Sequence, residues 1–174
     1  SIAKSLINFN RILIEETGVE GFYYCVNNQN NFFEDSFFTT YVAPYEKEVL
    51  EKANELSDIN ILHICGYDGL SNDLKLFKDF EAAAFNWDVE AEGVSLTEGK
   101  KLFGGKAVIG GFEQDQVIYT GTRDEVEKAT FDILDECGQI GTIIGAGCTL
   151  PTDIEEIRLE WVRQASIKYA VDNL

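Results

Sequence analysis

Three side chains in this sequence have the chemistry to share a metal ion. His63, the single histidine of the chain, stands two residues before Cys65, and Cys148 follows much later in Gly145-Ala146-Gly147-Cys148-Thr149. One imidazole and two thiolates form a donor set that suits zinc, and three protein ligands leave a fourth position open, as a catalytic zinc requires. Residues i and i+2 of a strand point to the same side, so His63 and Cys65 aim together if the run Ile59 to Cys65 is a strand. The competing reading makes both cysteines small buried hydrophobes. What separates the two readings is whether Cys148 comes near the other pair.

Two carboxylates are the candidate catalytic groups. Asp88 follows a predicted third strand and Glu113 a predicted fourth. Glu113 could be a fourth ligand displaced by substrate, an acceptor for the other nitrogen of His63, or a solvated loop carboxylate. Asp68 and Gly69 are expected only to shape a turn after Cys65. Cys137 extends an apolar helical stripe and is assigned to packing, whereas Cys25 is left open between core and pocket wall.

The elements that must position these groups follow from hydrophobic period. Residues 3 to 17 carry Leu6, Ile7, Leu13 and Ile14 at helical spacing, with Gly18 after the last turn. Strands are expected over 21–26, 59–65, 83–87, 107–110 and 142–144. Between the first two lie a polar loop over 27–31 and a helix opened by Pro44, with Val49, Leu50, Ala53 and Leu56 inward. Its acidic residues Glu46, Glu48, Glu51 and Glu55 are expected on the solvated side. A helix through Leu74 and Phe77 precedes the third strand. Ser95 to Glu98, Thr122 to Glu125 and Thr152 to Glu155 read as capped helix starts, the first two as capping boxes. Val126, Ala129, Ile133 and Leu134 form the inward stripe of the helix that ends at Gly138.

Strands that are apolar throughout, alternating with capped helices, indicate an α/β domain with a parallel sheet covered on its faces. No linker divides residues 1–174, so a single domain is expected. Five βα units are too few for a closed eight-stranded barrel, which takes ~250 residues. A partial barrel or open sheet exposes two strand edges, so a homo-oligomer is expected if the chain is whole.

Composition narrows the partners. The 14 Lys and Arg stand against 31 Asp and Glu, a net charge of −17. Nucleic acid and anionic membrane surfaces need a dense basic footprint and are not expected partners. Polycarboxylate substrates fit poorly too, since Arg11, Arg123, Arg158 and Arg163 are the only arginines. No apolar run reaches the ~18 to 20 residues of a membrane span. Four cysteines are too sparse for a disulfide scaffold, so a cytoplasmic, reducing location is expected.

Leu62-His63-Ile64-Cys65-Gly66, Phe85-Asn86-Trp87-Asp88, Ile109-Gly110-Gly111-Phe112, Gly121-Thr122 and Gly147-Cys148-Thr149-Leu150-Pro151 resemble successive landmarks of the uroporphyrinogen decarboxylase superfamily. Pro44-Tyr45 with its helix fits the same pattern. The match runs from about residue 3 to about residue 170. It implies the C-terminal five βα units of that family's TIM (β/α)8 barrel.

The superfamily holds two chemistries. Its decarboxylases resemble one another in a Gly-His-Gly near the last strand and an arginine-rich N-terminal segment. Here the stretch is Gly145-Ala146-Gly147-Cys148, and no arginine-rich segment is present. The corrinoid-dependent branch, which includes methylcobamide:coenzyme M methyltransferases, has a His-x-Cys…Cys zinc motif that His63, Cys65 and Cys148 match. The resemblance therefore implies a zinc-dependent methyltransferase that moves a methyl group from a corrinoid, carried by a corrinoid protein, to a small thiol. The alternatives are a decarboxylase-like lyase and a non-catalytic truncated fragment. None of the four arginines is obviously placed to hold a sulfonate, so the thiol is left open.

Overall fold

A computed structural model describes residues 2–29, 34–66 and 70–173. Part of the expected polar loop, Asn30 and Asn31, and the Asp68-Gly69 turn lie outside them. The order is α1 (Ile2–Thr17), β1 (Tyr23–Val26), α2 (Asp35–Phe37), a π-helical turn (Phe38–Val42), α3 (Ala43–Asn54), β2 (Ile61–Ile64), a 3-10 turn (Leu74–Phe77), β3 (Ala84–Trp87), α4 (Val89–Glu92), α5 (Leu96–Leu102), β4 (Ala107–Phe112), α6 (Val117–Thr120), α7 (Arg123–Cys137), β5 (Thr142–Ala146) and α8 (Glu156–Asp172). The five strands are parallel and lie in one sheet in chain order, with β1 and β5 at its edges. This is a partial TIM-barrel-like α/β fold. Among the described residues no helix is long and apolar enough to cross a membrane.

The two sides of the sheet differ in kind. In register, Tyr24, Leu62, Phe85 and Val108 stand side by side, as do Val26, Ile64 and Trp87. All of these except Tyr24 are buried, and with Phe77, Leu96 and Phe103 they make the core. Phe85 stacks on Phe103 at 3.9 Å between ring centres. Each large apolar side chain so enclosed contributes about 1.5–3 kcal/mol. Helix α5 lies so close to β3 that a Cβ at Gly99 would fall 2.0 Å from the Trp87 ring.

The opposite side carries Cys25, His63, Asn86, Ile109 and Ile143 in one register row. There Tyr23, Cys25 and Ile143 are exposed. The expectation of a sheet covered on both faces is therefore corrected: helices bury one face, and the other is partly open and holds the polar groups.

Element boundaries shift modestly. β2 ends at Ile64, one residue before Cys65, while β4 and β5 run on to Phe112 and Ala146. The boxes at Ser95–Glu98 and Thr122–Glu125 are both formed. The start at Thr152 is not: Pro151 to Ile154 forms a turn, closed by Ile154 N–H on the Pro151 carbonyl, and α8 begins at Glu156. Ile154 instead packs with Trp161 and Val162 against Phe112 and Ile118. Leu56 lies past the end of α3 and is exposed. The Leu74–Phe77 segment is a single 3-10 turn rather than a helix. Glu46 is not solvated like its neighbours, because it lines a pocket with Ala3 and Leu6 of α1 and Tyr24 of β1.

Candidate metal and thiol site

His63, Cys65 and Cys148 meet at the carboxyl end of the sheet. Cys148 Sγ lies 3.8 Å from His63 Nε2 and 3.9 Å from Cys65 Sγ. For zinc with sulfur at about 2.3 Å and nitrogen at about 2.0–2.1 Å, a tetrahedron has S···S edges of about 3.8 Å and S···N edges of about 3.6 Å. Both separations from the Cys148 sulfur therefore match edges of such a tetrahedron.

Local structure explains the meeting. Cys65 leaves β2 with its N–H still bonded to the Val26 carbonyl at 2.8 Å, which holds it one step beyond His63. Cys148 arrives on the turn after β5, where Gly147 N–H donates to the Phe112 carbonyl. A Cβ on Gly147 would fall 2.7 Å from Asp88 Cα, so only glycine lets this turn press against β3.

Asn86 orients the imidazole, a role the sequence did not reveal. Its Nδ2 donates to the carbonyls of Ile109 and Ala146 at 2.8 and 3.1 Å. That fixes the amide orientation and leaves Oδ1 as acceptor. His63 Nδ1–H and the Tyr23 hydroxyl both donate to it. The His63 proton therefore sits on Nδ1, and the Nε2 lone pair faces Cys148. Burial lowers the His63 pKa and so favours the neutral imidazole, against the smaller opposing effect of the Asn86 hydrogen bond. Of the three roles open to Glu113, acceptor for the other His63 nitrogen is taken by Asn86 instead, because β3 lies next to β2 in the sheet while Glu113 follows β4.

Burial first, then Cys148 and Cys25, push the Cys65 thiol up to about 12. A divalent cation among these sulfurs reverses that logic and favours their thiolates. Cys25, left undecided by the sequence, belongs to this neighbourhood. Its Sγ, a His63 ring nitrogen and Cys65 Sγ lie within 4.8 Å of one another. Cys137 is structural, as expected: it is buried in the core, and its thiol bonds to the Ile133 carbonyl at 3.0 Å.

The carboxylates Asp88 and Glu113 act on one another, and Asp88 lies against the turn that carries Cys148. Asp88 is buried and caps α4, its Oδ1 accepting from the N–H groups of Glu90 and Ala91 at 3.1 and 3.0 Å. Desolvation, together with Asp88 and Glu90, raises the Glu113 carboxyl to about 7. All four arginines make contacts away from these groups. Arg11 pairs with Glu15, Arg163 with Glu160, Arg123 with Gln164, and Arg158 with the Gly121 carbonyl.

No protein-family model matches the chain. It is 24% identical over 133 residues to the methylcobamide:CoM methyltransferase MtbA of Methanosarcina mazei, covering 76% of this chain and 37% of that protein. It is 22% identical over 134 residues to the MtbA of Methanosarcina acetivorans, with the same shares. Among solved structures, a methyltransferase from Methanosarcina mazei superposes with a TM-score of 0.77 at 15% identity, covering 97% of this chain and 47% of that one. The chain thus spans about 37% of the length of the curated relatives it matches. These relatives bear out the resemblance to the corrinoid-dependent branch, over part of their length.

Proposed function

We propose that this chain carries the zinc and thiol site of a methyltransferase that moves a methyl group from a corrinoid to a small thiol. The observation that carries this reading is the approach of Cys148 to His63 and Cys65 at tetrahedral-edge distances. The printed activity of the relatives, methyl transfer between a methylcobamide and CoM, supports the same chemistry.

In this reading His63 Nε2, Cys65 Sγ and Cys148 Sγ hold the metal. Bound there, zinc supplies a Lewis acid that favours the thiolate form of a coordinated thiol at neutral pH. Asn86 keeps the Nε2 lone pair aimed at the site and so protects the ligand geometry. Glu113, with its pKa raised to about 7, serves as proton acceptor for the entering thiol. Asp88 helps to hold Glu113 in that range and supports the turn that delivers Cys148. A methylated corrinoid would supply the methyl carbon to the substrate sulfur and would keep both electrons of its carbon–cobalt bond. A corrinoid protein is the partner that presents the methyl group. Because the four arginines are engaged elsewhere, the tail of the thiol is read by something other than an arginine clamp from this chain.

The test is metal analysis followed by turnover. Freshly purified protein should hold about one zinc per chain and lose it in Cys148→Ser. Methylcobalamin with a panel of small thiols, with and without sulfonate tails, should then yield thioethers. Metal-free protein that cannot be loaded with zinc would overturn the proposal.

A further inference from the structure

A fourth sulfur stands at the same site. Cys25 is the register partner of His63 across the β1–β2 pair, so both side chains lie on the open face of the sheet. Its Sγ shares a 4.8 Å cluster with a His63 ring nitrogen and Cys65 Sγ. Cys148 approaches the same two residues, at 3.8 and 3.9 Å. His63 and Cys65 are thus a shared pair flanked by two further thiols. Three cysteines and one histidine are a complete tetrahedral set for zinc.

The four differ in freedom. Cys65 and Cys148 are half-buried, Cys65 held at the end of β2 by its N–H on the Val26 carbonyl and Cys148 carried on the bend after β5, whereas Cys25 is exposed on an edge strand. A rotation about its χ1 moves its sulfur toward or away from the others without moving backbone. Core packing does not account for an exposed cysteine.

We propose that Cys25 is the fourth donor of this site, closing it when no thiol is present and giving up its place to the entering substrate. This rests on the zinc reading above and extends it. The exchange balances: the bond from Cys25 sulfur to the metal is replaced by one from the substrate sulfur, and the substrate's thiol proton, taken first by Glu113, passes on to the released Cys25 sulfur. An open coordination position is thereby created only when a thiol arrives, which keeps other small molecules out.

X-ray absorption at the zinc edge counts the sulfurs directly. The zinc-loaded chain should show three sulfurs and one nitrogen, and Cys25→Ser two sulfurs. Adding 2-hydroxyethaneselenol, whose selenium is distinguishable, should introduce one zinc–selenium distance while the wild-type sulfur count falls from three to two. In Cys25→Ser selenium should bind with the sulfur count unchanged at two. Circular dichroism would confirm that the variant is folded, as expected for an exposed position. Two sulfurs in both proteins before selenol is added would overturn the role of Cys25 while leaving the zinc site intact. Three wild-type sulfurs that persist beside bound selenium would overturn the displacement. A chain that takes up no zinc would remove the site itself, a different failure.

Discussion

His63 Nδ1 donates to Asn86 Oδ1 at 2.5 Å, and the amide nitrogen of the same asparagine donates to backbone carbonyls in β4 and β5. One fully buried side chain therefore ties the imidazole of β2 to three neighbouring elements. Removing it should be costly in two ways. Asn86→Ala leaves the Ile109 and Ala146 carbonyls without that donor and the His63 N–H without that acceptor. A buried polar group left unsatisfied costs about 1–3 kcal/mol, so a loss of at least about 2 kcal/mol is expected by urea unfolding. Zinc affinity, read by competition with a chelator, should fall about 10–100-fold as the imidazole loses its anchor. Unchanged zinc affinity in a folded Asn86→Ala protein would show that the hydrogen bond does not position the ligand.

Zinc should stabilise the fold, because the donors come from β2 and from the turn after β5. At a free zinc concentration about 100 times the dissociation constant, the wild-type chain should gain about 2.7 kcal/mol. A chelator should reverse the gain. Cys148→Ser should show little of it, since the donors that remain, on β1 and β2, no longer tie those strands to the turn after β5. A zinc-dependent rise in melting temperature as large in Cys148→Ser as in the wild type would mean the metal binds elsewhere.

Glu46 gives a pH dependence independent of the metal site. It lines the pocket between α1 and α3, and its Oε2 is buried without a hydrogen-bond partner. Desolvation raises its pKa from 4.5 to about 7. The unfolded chain therefore gives up this proton first, and the folded chain keeps it between about pH 4.5 and pH 7. Stability from this group is fully present below pH 4.5, falls across that window and is level above it. The loss amounts to about 2–3 kcal/mol, after allowance for partial exposure. Glu46→Gln should match the wild type near pH 4 and exceed it by about that amount at pH 8, in urea titrations. Parallel pH profiles for the two proteins would rule the assignment out.

What the sequence shows of this molecule follows from what is local in it. Apolar runs and capping residues mark all five strands and both capping boxes, because period and cap chemistry are written within a few residues. The pair His63 and Cys65 is visible for the same reason. Asn86 is not, since an asparagine in an apolar run carries no sign of which neighbours it will bond. Its role depends on β2, β3 and β4 lying side by side, which is a property of the sheet. Cys25 is hidden likewise: only the β1–β2 register sets it beside His63. Glu46 misleads because one face of α3 is covered by α1, a helix distant in sequence. Thr152 misleads because a serine-or-threonine start signal yields to a proline turn that buries Ile154.

The turn carrying Cys148 offers a test of how tightly the site is built. A Cβ at Gly147 would stand 2.7 Å from Asp88 Cα, a backbone atom that cannot swing aside. Gly147→Ala must therefore displace the turn or β3, and Cys148 is the next residue. At Gly145 a Cβ would meet the Ile109 side chain at 3.1 Å, a contact that a small side-chain shift relieves. Gly147→Ala should weaken zinc binding at least about 10-fold, the scale on which misplaced support residues act. Gly145→Ala should weaken it less. Chelator competition on the two variants, with circular dichroism to show that each is folded, makes the comparison. Equal affinities would mean that the Cys148 turn accommodates a methyl group without moving its sulfur, and that Cys148 is not held in place by its contact with Asp88.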